Sequence, residues 1–129
     1  MRAVLEQSWD LLTDQECSVL CKLSVFRGGF EREAAQQIAG ATLAILSALV
    51  DKTLVHRKET GRYELHEHVA QFGHDKLGKS GEFEQTRRRH AQYYLQLAEQ
   101  AKSHLNGPDG ARWLAWLENE QDNIRTALE

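Results

Sequence analysis

Along this chain the apolar residues recur at helical spacing almost everywhere, and the period changes once. At "TLVHRKETGRYEL", residues 53–65, two short runs with β-branched and aromatic residues flank a three-residue loop that ends in Gly61. That is a good signal for a β-hairpin, and Val55, Tyr63 and Leu65 can share its inner face. Four helical segments come before it. Residues 3–12, "AVLEQSWDLL", carry Val4, Leu5, Trp9 and Leu12. "TDQECSVLCKLSVF" opens with Thr13 and Glu16 at capping-box spacing and carries Val19, Leu20, Leu23 and Phe26 as an apolar stripe. Gly28 and Gly29 stop it. "FEREAAQQIAG" ends at Gly40, and "ATLAILSALVDK" places Leu43, Leu46, Leu49 and Val50 on one side. Four helices and then a hairpin is the order of a winged helix, a helix-turn-helix core with a β wing.

Beyond the hairpin, "RYELHEHVAQFGHDKL" predicts a fifth helix with Val69, Phe72 and Leu77 inward, broken by "GKSG" at 78–81. A long helix follows from Glu82 to about Leu105, with Phe83, His90, Tyr94 and Ala101 among the residues of one continuous face. "NGPDG", which holds the single proline Pro108, is the clearest break in the chain. A last helix carries Trp113, Leu114, Leu117, Ile124 and Leu128. The two later helices read as an antiparallel pair, like the first unit of a helical repeat array. The expected fold is mainly α. It comprises a winged-helix domain over residues 1–80 and a helical hairpin over 81–129 that begins a TPR-like superhelix. One helical pair cannot bury both its faces, and the apolar pattern is still running at the last residue. The chain is therefore expected to be a piece of something longer. It is also expected to self-associate through an uncovered face of Leu114, Leu117, Ile124 and Leu128, with Trp113 or Trp116.

Size and composition exclude several function classes. A chain of 129 residues can fold as one domain without a disulfide or a metal. Sixteen Lys and Arg against nineteen Asp and Glu leave a net charge of -3, which gives no global attraction to nucleic acid or anionic lipid. The longest apolar stretch, "TLAILSALV", falls far short of the ~20 residues that span a bilayer. The opening "MRAVLEQSWD" has no signal-peptide pattern. Cys17 and Cys21 read as buried free thiols, since a zinc site built on them would call for a second cysteine pair. A cytoplasmic protein with no membrane partner is expected.

There is no GxxxxGK[ST], no GxSxG, no HExxH and no paired CxxC. No nucleotide is gripped by this chain alone, and no catalytic residue or metal site is expected. His66, His68 and His74 crowd one stretch. On a helix the first two diverge by about 200°, and the third lies more than ~10 Å along the axis. A zinc ion needs donors about 2 Å from one point. The presumptive reader helix, "ATLAILSALVDK", offers only Thr42, Ser47, Asp51 and Lys52 as polar side chains. Base-reading helices present Arg, Asn, Gln or Lys, so this one reads as a helix to be buried. The wing adds His56, Arg57 and Lys58, while Arg87, Arg88 and Arg89 spread over about 200° of helix and make no stripe. DNA binding by this chain is expected to be weak and non-specific. Trp113 and Trp116 share a face and read as packing.

Taken together, "SWDLLTDQE", "LSVFRGGFEREAA", "LSALVDKTLVHR", "GRYELHEHVAQFGHDKL", "RRRHAQYYLQLAEQA" and "WLAWLENEQDNIRTAL" occur in that order. They resemble the region just after the nucleotide-binding domain in bacterial STAND-class (NB-ARC-like) signal-transduction ATPases, many of them transcriptional regulators. The resemblance covers essentially all 129 residues. It implies a winged helix leading into a TPR-like sensor array, with ADP or ATP held in an adjacent nucleotide-binding domain and no cofactor in this chain. It also implies a role for one histidine. The family's Met-His-Asp motif, where the wing passes into the next helix, matches Leu65, His66 and Glu67. In the family that histidine reaches the phosphates of ADP and locks the off state; the other role for His66 is that of a surface or wing-packing residue. His68 and His74 have no such match.

The leading expectation is a non-enzymatic regulatory module that couples the nucleotide state of an adjacent ATPase domain to the following helical repeats, in signal-dependent transcriptional regulation. The alternative is a sequence-specific DNA-binding winged-helix domain of a transcription factor. A small metal-dependent enzyme is a distant third.

Overall fold

The computed structural model describes residues 9–128. In chain order the elements are α1 (Asp14–Leu23), α2 (Arg32–Ala39), α3 (Leu43–Asp51), β1 (Val55–Arg57), β2 (Tyr63–Leu65), α4 (Glu67–Ser80), α5 (Phe83–His104), α6 (Gly110–Asn119) and α7 (Gln121–Ala127). Most of the helix expected over residues 3–12, including Val4 and Leu5, lies outside the described residues. Its end is seen at Trp9, whose ring meets Phe72 of α4 edge-on at 5.1 Å.

Local chemistry explains the starts and stops. Thr13 and Glu16 form the capping box that opens α1: the Glu16 amide donates to Thr13 Oγ1 at 3.1 Å, and the Thr13 amide donates to Glu16 Oε1 at 2.9 Å. This satisfies two of the amides that every helix start leaves unpaired. Gly40 takes the left-handed conformation that ends α2, and Thr42 caps α3 by accepting from the Ile45 amide at 3.2 Å. The axes of α2 and α3 cross at 107° over that three-residue turn, the geometry of a helix-turn-helix.

The wing is the antiparallel pair β1–β2, with Val55 opposite Leu65 and Arg57 opposite Tyr63. Gly61, at φ 90°, closes its three-residue loop, and the Lys58 amide donates to the Arg62 carbonyl at 2.7 Å. The "RGG" stretch does more than stop a helix. Phe30 exchanges two backbone hydrogen bonds of 2.9 Å with Tyr63, so it joins the wing as a one-residue third strand. A side chain at Gly29 would put its Cβ 2.9 Å from the Tyr63 carbonyl oxygen, and both Gly28 and Gly29 have positive φ. The architecture is winged-helix-like, followed by further helices.

One buried cluster runs through all of it. Leu20, Leu23, Ile38, Leu46, Leu49 and Leu77 are fully covered, and Tyr94 joins them from α5. Phe26 stacks on Phe30 at 4.7 Å and meets Tyr94 edge-on at 6.2 Å. The core thus crosses the expected boundary between residues 80 and 81.

Three details differ from the sequence expectation. The last helix is two helices, broken at Glu120, and the Glu120 and Asn123 side chains turn into the interior. Leu43 lies on the outer side of α3, and Ile45 takes the inward place. Of the apolar face expected on the last helix, Leu114 and Leu128 are exposed, at 50% and 71%, whereas Ile124 packs against the core. Among the described residues, no single helix is long and apolar enough to cross a membrane.

Candidate functional site

His66 sits at the N-cap of α4, where the wing hands over to the helix. It is exposed, and its side chain caps no amide of the first turn. The helix start therefore faces solvent, with the Glu67 carboxylate in its first turn beside the partial positive charge of the helix end. His66 shares a shallow cleft with Thr53, His56 and Arg57. Thr53 holds a left-handed φ of 62°, unfavourable for a β-branched residue. The structure does not gather the three histidines. His68 is exposed, and His74 is half-buried with its ring edge-on to Phe83 at 5.1 Å. Among the described residues, no group of three or more His, Cys, Asp or Glu could hold a metal ion. Cys17 and Cys21 are free and half-buried, not fully buried as expected, and burial pushes the Cys21 thiol up to about 11.

A second constellation, unmarked in the sequence, lies under the wing. Asn123 of α7 is fully buried and makes four hydrogen bonds. Its Oδ1 accepts from the Arg27 amide at 2.6 Å and meets His90 Nε2 at 3.2 Å. Its Nδ2 donates to the Gly29 carbonyl at 2.9 Å and to Glu120 Oε1 at 3.0 Å. That uses the full capacity of an amide side chain. Since Asn123 Oδ1 only accepts, the His90 tautomer is assigned with its proton on Nε2.

Glu120, 1% exposed, also accepts from Arg62 Nη2 of the wing at 3.0 Å. Glu31 of the α2 cap lies 3.7 Å from the other guanidinium nitrogen. The knot joins the α1–α2 loop, the wing, α5 and α7, and its centre of Asn123, Glu120 and His90 is almost entirely removed from water. Burial holds the His90 pKa below its usual value, and the Arg27 charge adds to this against the opposing pull of Asn123 and Glu120.

The signal for the knot is a spacing. Trp113, Trp116, Glu120, Asn123 and Ala127 are three or four residues apart, which marks a single inward stripe with two polar members. Choosing only apolar residues hides it.

The face a helix-turn-helix would turn to DNA is the outer side of α3 with the wing. It exposes Leu43, Ala44, Ser47 and Asp51, with Arg57 and Arg32 lining the groove beside them. Lys58 of the wing is paired with Glu64 at 3.1 Å. Arg87, Arg88 and Arg89 are all exposed on α5.

No protein-family model matches the chain, and no solved structure matches it. Among curated proteins it is similar to "Putative HTH-type transcriptional regulator Mb0914c" of Mycobacterium bovis. It is equally similar to the like-named MT0914 and Rv0890c of two Mycobacterium tuberculosis strains. Each is 36% identical over 141 aligned residues, which takes in 99% of this chain. The chain spans 15% of the length of these relatives.

Proposed function

We propose that this chain works inside a helix-turn-helix-type transcriptional regulator, as the winged-helix-like lever between a nucleotide-binding domain and a helical sensor region of the STAND type. The buried knot of Asn123, Glu120, Arg62 and His90 carries this reading. It ties the wing and helix-turn-helix to α5 and α7, so a displacement imposed at either end is passed on as a rigid-body movement. The solvent-facing α4 start supports a phosphate-sensing role for His66.

In the full-length regulator, a hydrogen bond from His66 to a phosphate of ADP is charge-assisted and contributes ~1.5–3 kcal/mol. His66→Ala is expected to weaken ADP binding roughly ten- to 150-fold, to change ATP binding less and to raise basal activity. His68→Ala and His74→Ala should leave ADP affinity nearly unchanged. Nucleotide titration of the three variants tests this, and an unaltered ADP affinity in His66→Ala removes the sensor role.

A second role is favoured by the names of the relatives: direct, sequence-specific DNA contact by this winged helix. Against it stands the outer face of α3, which lacks Arg, Asn and Gln.

A further inference from the structure

We propose that the cleft between the start of α2 and the α5–α6 hairpin binds a small organic cation of the alkylammonium class. The cleft is half-open to solvent and has a volume of about 460 Å³, within the range of small-molecule sites. Tyr93 of α5 and Trp113 and Trp116 of α6 supply aromatic walls, and Glu31 and Glu33 line it from the α2 side. The two indole planes meet at 71° with centroids 6.2 Å apart. The His104 ring lies flat on Trp113, 5.0 Å away and tilted by only 6°, which fixes one wall of the corner.

The charge of the lining is one-sided. Glu31, Glu33 and Asp109 face a single guanidinium, Arg112. Glu31 is shared with Arg62 at 3.7 Å, whereas Glu33 has no ion pair among the described residues. Burial, and after it the carboxylates of Glu33 and Glu31, push the ionisation of Tyr93 up, so the negative potential reaches the aromatic wall itself.

This chemistry selects among ligands. An anion is repelled. A metal ion would need a converging donor set, and the described residues hold none. A ligand with diffuse positive charge is attracted both by ring faces and by carboxylates without losing tightly held water. The cleft draws its walls from the helix-turn-helix and from the later hairpin, yet it is separate from His66, so its occupancy is testable without the nucleotide.

The experiment is a titration of tryptophan fluorescence of the chain with tetramethylammonium chloride at constant ionic strength, with sodium chloride and tert-butanol as ionic and neutral controls. A saturable change with a midpoint near ~10 mM or below is expected for tetramethylammonium alone. Trp113→Phe should reduce the signal. Glu33→Gln, at an exposed side chain, should weaken binding about threefold or more, and Glu33→Lys should abolish it while the far-ultraviolet dichroism is unchanged. No saturable response, an equal response to tert-butanol, or binding unaffected by both Glu33 substitutions overturns the proposal.

Discussion

Asn123 shows how much one buried polar side chain can fix. Its amide satisfies the Arg27 amide, the Gly29 carbonyl, His90 and Glu120 at once, with no exposure to water. Removing it leaves several of these groups unpaired in a low-dielectric interior, at about 1–3 kcal/mol each. Asn123→Ala is therefore expected to destabilise the chain by at least ~3 kcal/mol in urea unfolding, out of the 5–15 kcal/mol typical of a domain. Substitution of the exposed neighbour Gln121 by Ala should stay within about 0.5 kcal/mol. An Asn123→Ala loss below ~1 kcal/mol would mean that the knot is dispensable. The sequence hid this residue because "ENEQDN" reads as a solvated run, and its helical spacing from Trp113 and Trp116 marks it as inward only when polar residues are admitted to the stripe. Of its partners only Glu120 is near, three positions away; the others lie 33 to 96 positions away.

At the level of elements, what was legible was local and what was missed was long-range. The α1 capping box, the hairpin loop and the Gly40 stop each rest on residues within four positions of one another. The contact from Lys52 Nζ to Glu16 Oε1, at 2.9 Å, ties the end of α3 to the start of α1 across 36 positions and left no mark in the pattern. These contacts set the response to acid. The backbone hydrogen bond from Thr13, then the bond to Lys52, hold the Glu16 carboxyl below its ordinary 4.5. A lowered carboxyl contributes stability above the unfolded value, lost as pH falls through the folded one. His90 is held below 6.5 mainly by burial, so the unfolded imidazole takes up its proton first and stability begins to fall once pH drops through about 6.5. Glu31, raised by burial and then by Glu120, works in the opposite sense. Urea midpoints measured from pH 8 to pH 3 should decline in two stages. His90→Gln is expected to flatten the upper stage and Glu16→Gln only the lower one. A His90→Gln curve parallel to wild type over pH 5–7 would remove the imidazole from the account.

For the molecule as a whole, the order of helices and the single wing were readable because each follows from period and punctuation. The union of the two segments was not, because it depends on Tyr94, Glu120 and Asn123 meeting residues far upstream. That union bears on the choice between lever and DNA reader. The wing and the helix-turn-helix are braced from behind by α5 and α7, while the surface they present outward carries few groups that read bases. Leu43 and Ala44 occupy positions on α3 where a reader would place Arg or Asn. With Lys58 engaged by Glu64, only a few cations near α3 and the wing remain for phosphates. Duplex DNA is therefore expected to bind no tighter than ~10⁻⁵ M near physiological salt. The slope of log K against log salt should lie near −2, as about two neutralised phosphates require. Anisotropy titrations with random duplexes, and with a selected pool of sequences, measure both quantities. If one duplex binds about a thousandfold better than random sequence, the outer face of α3 is a reading surface after all, and the role suggested by the relatives' names displaces the lever. If all duplexes bind alike and weakly, DNA recognition by such a regulator resides outside these 129 residues.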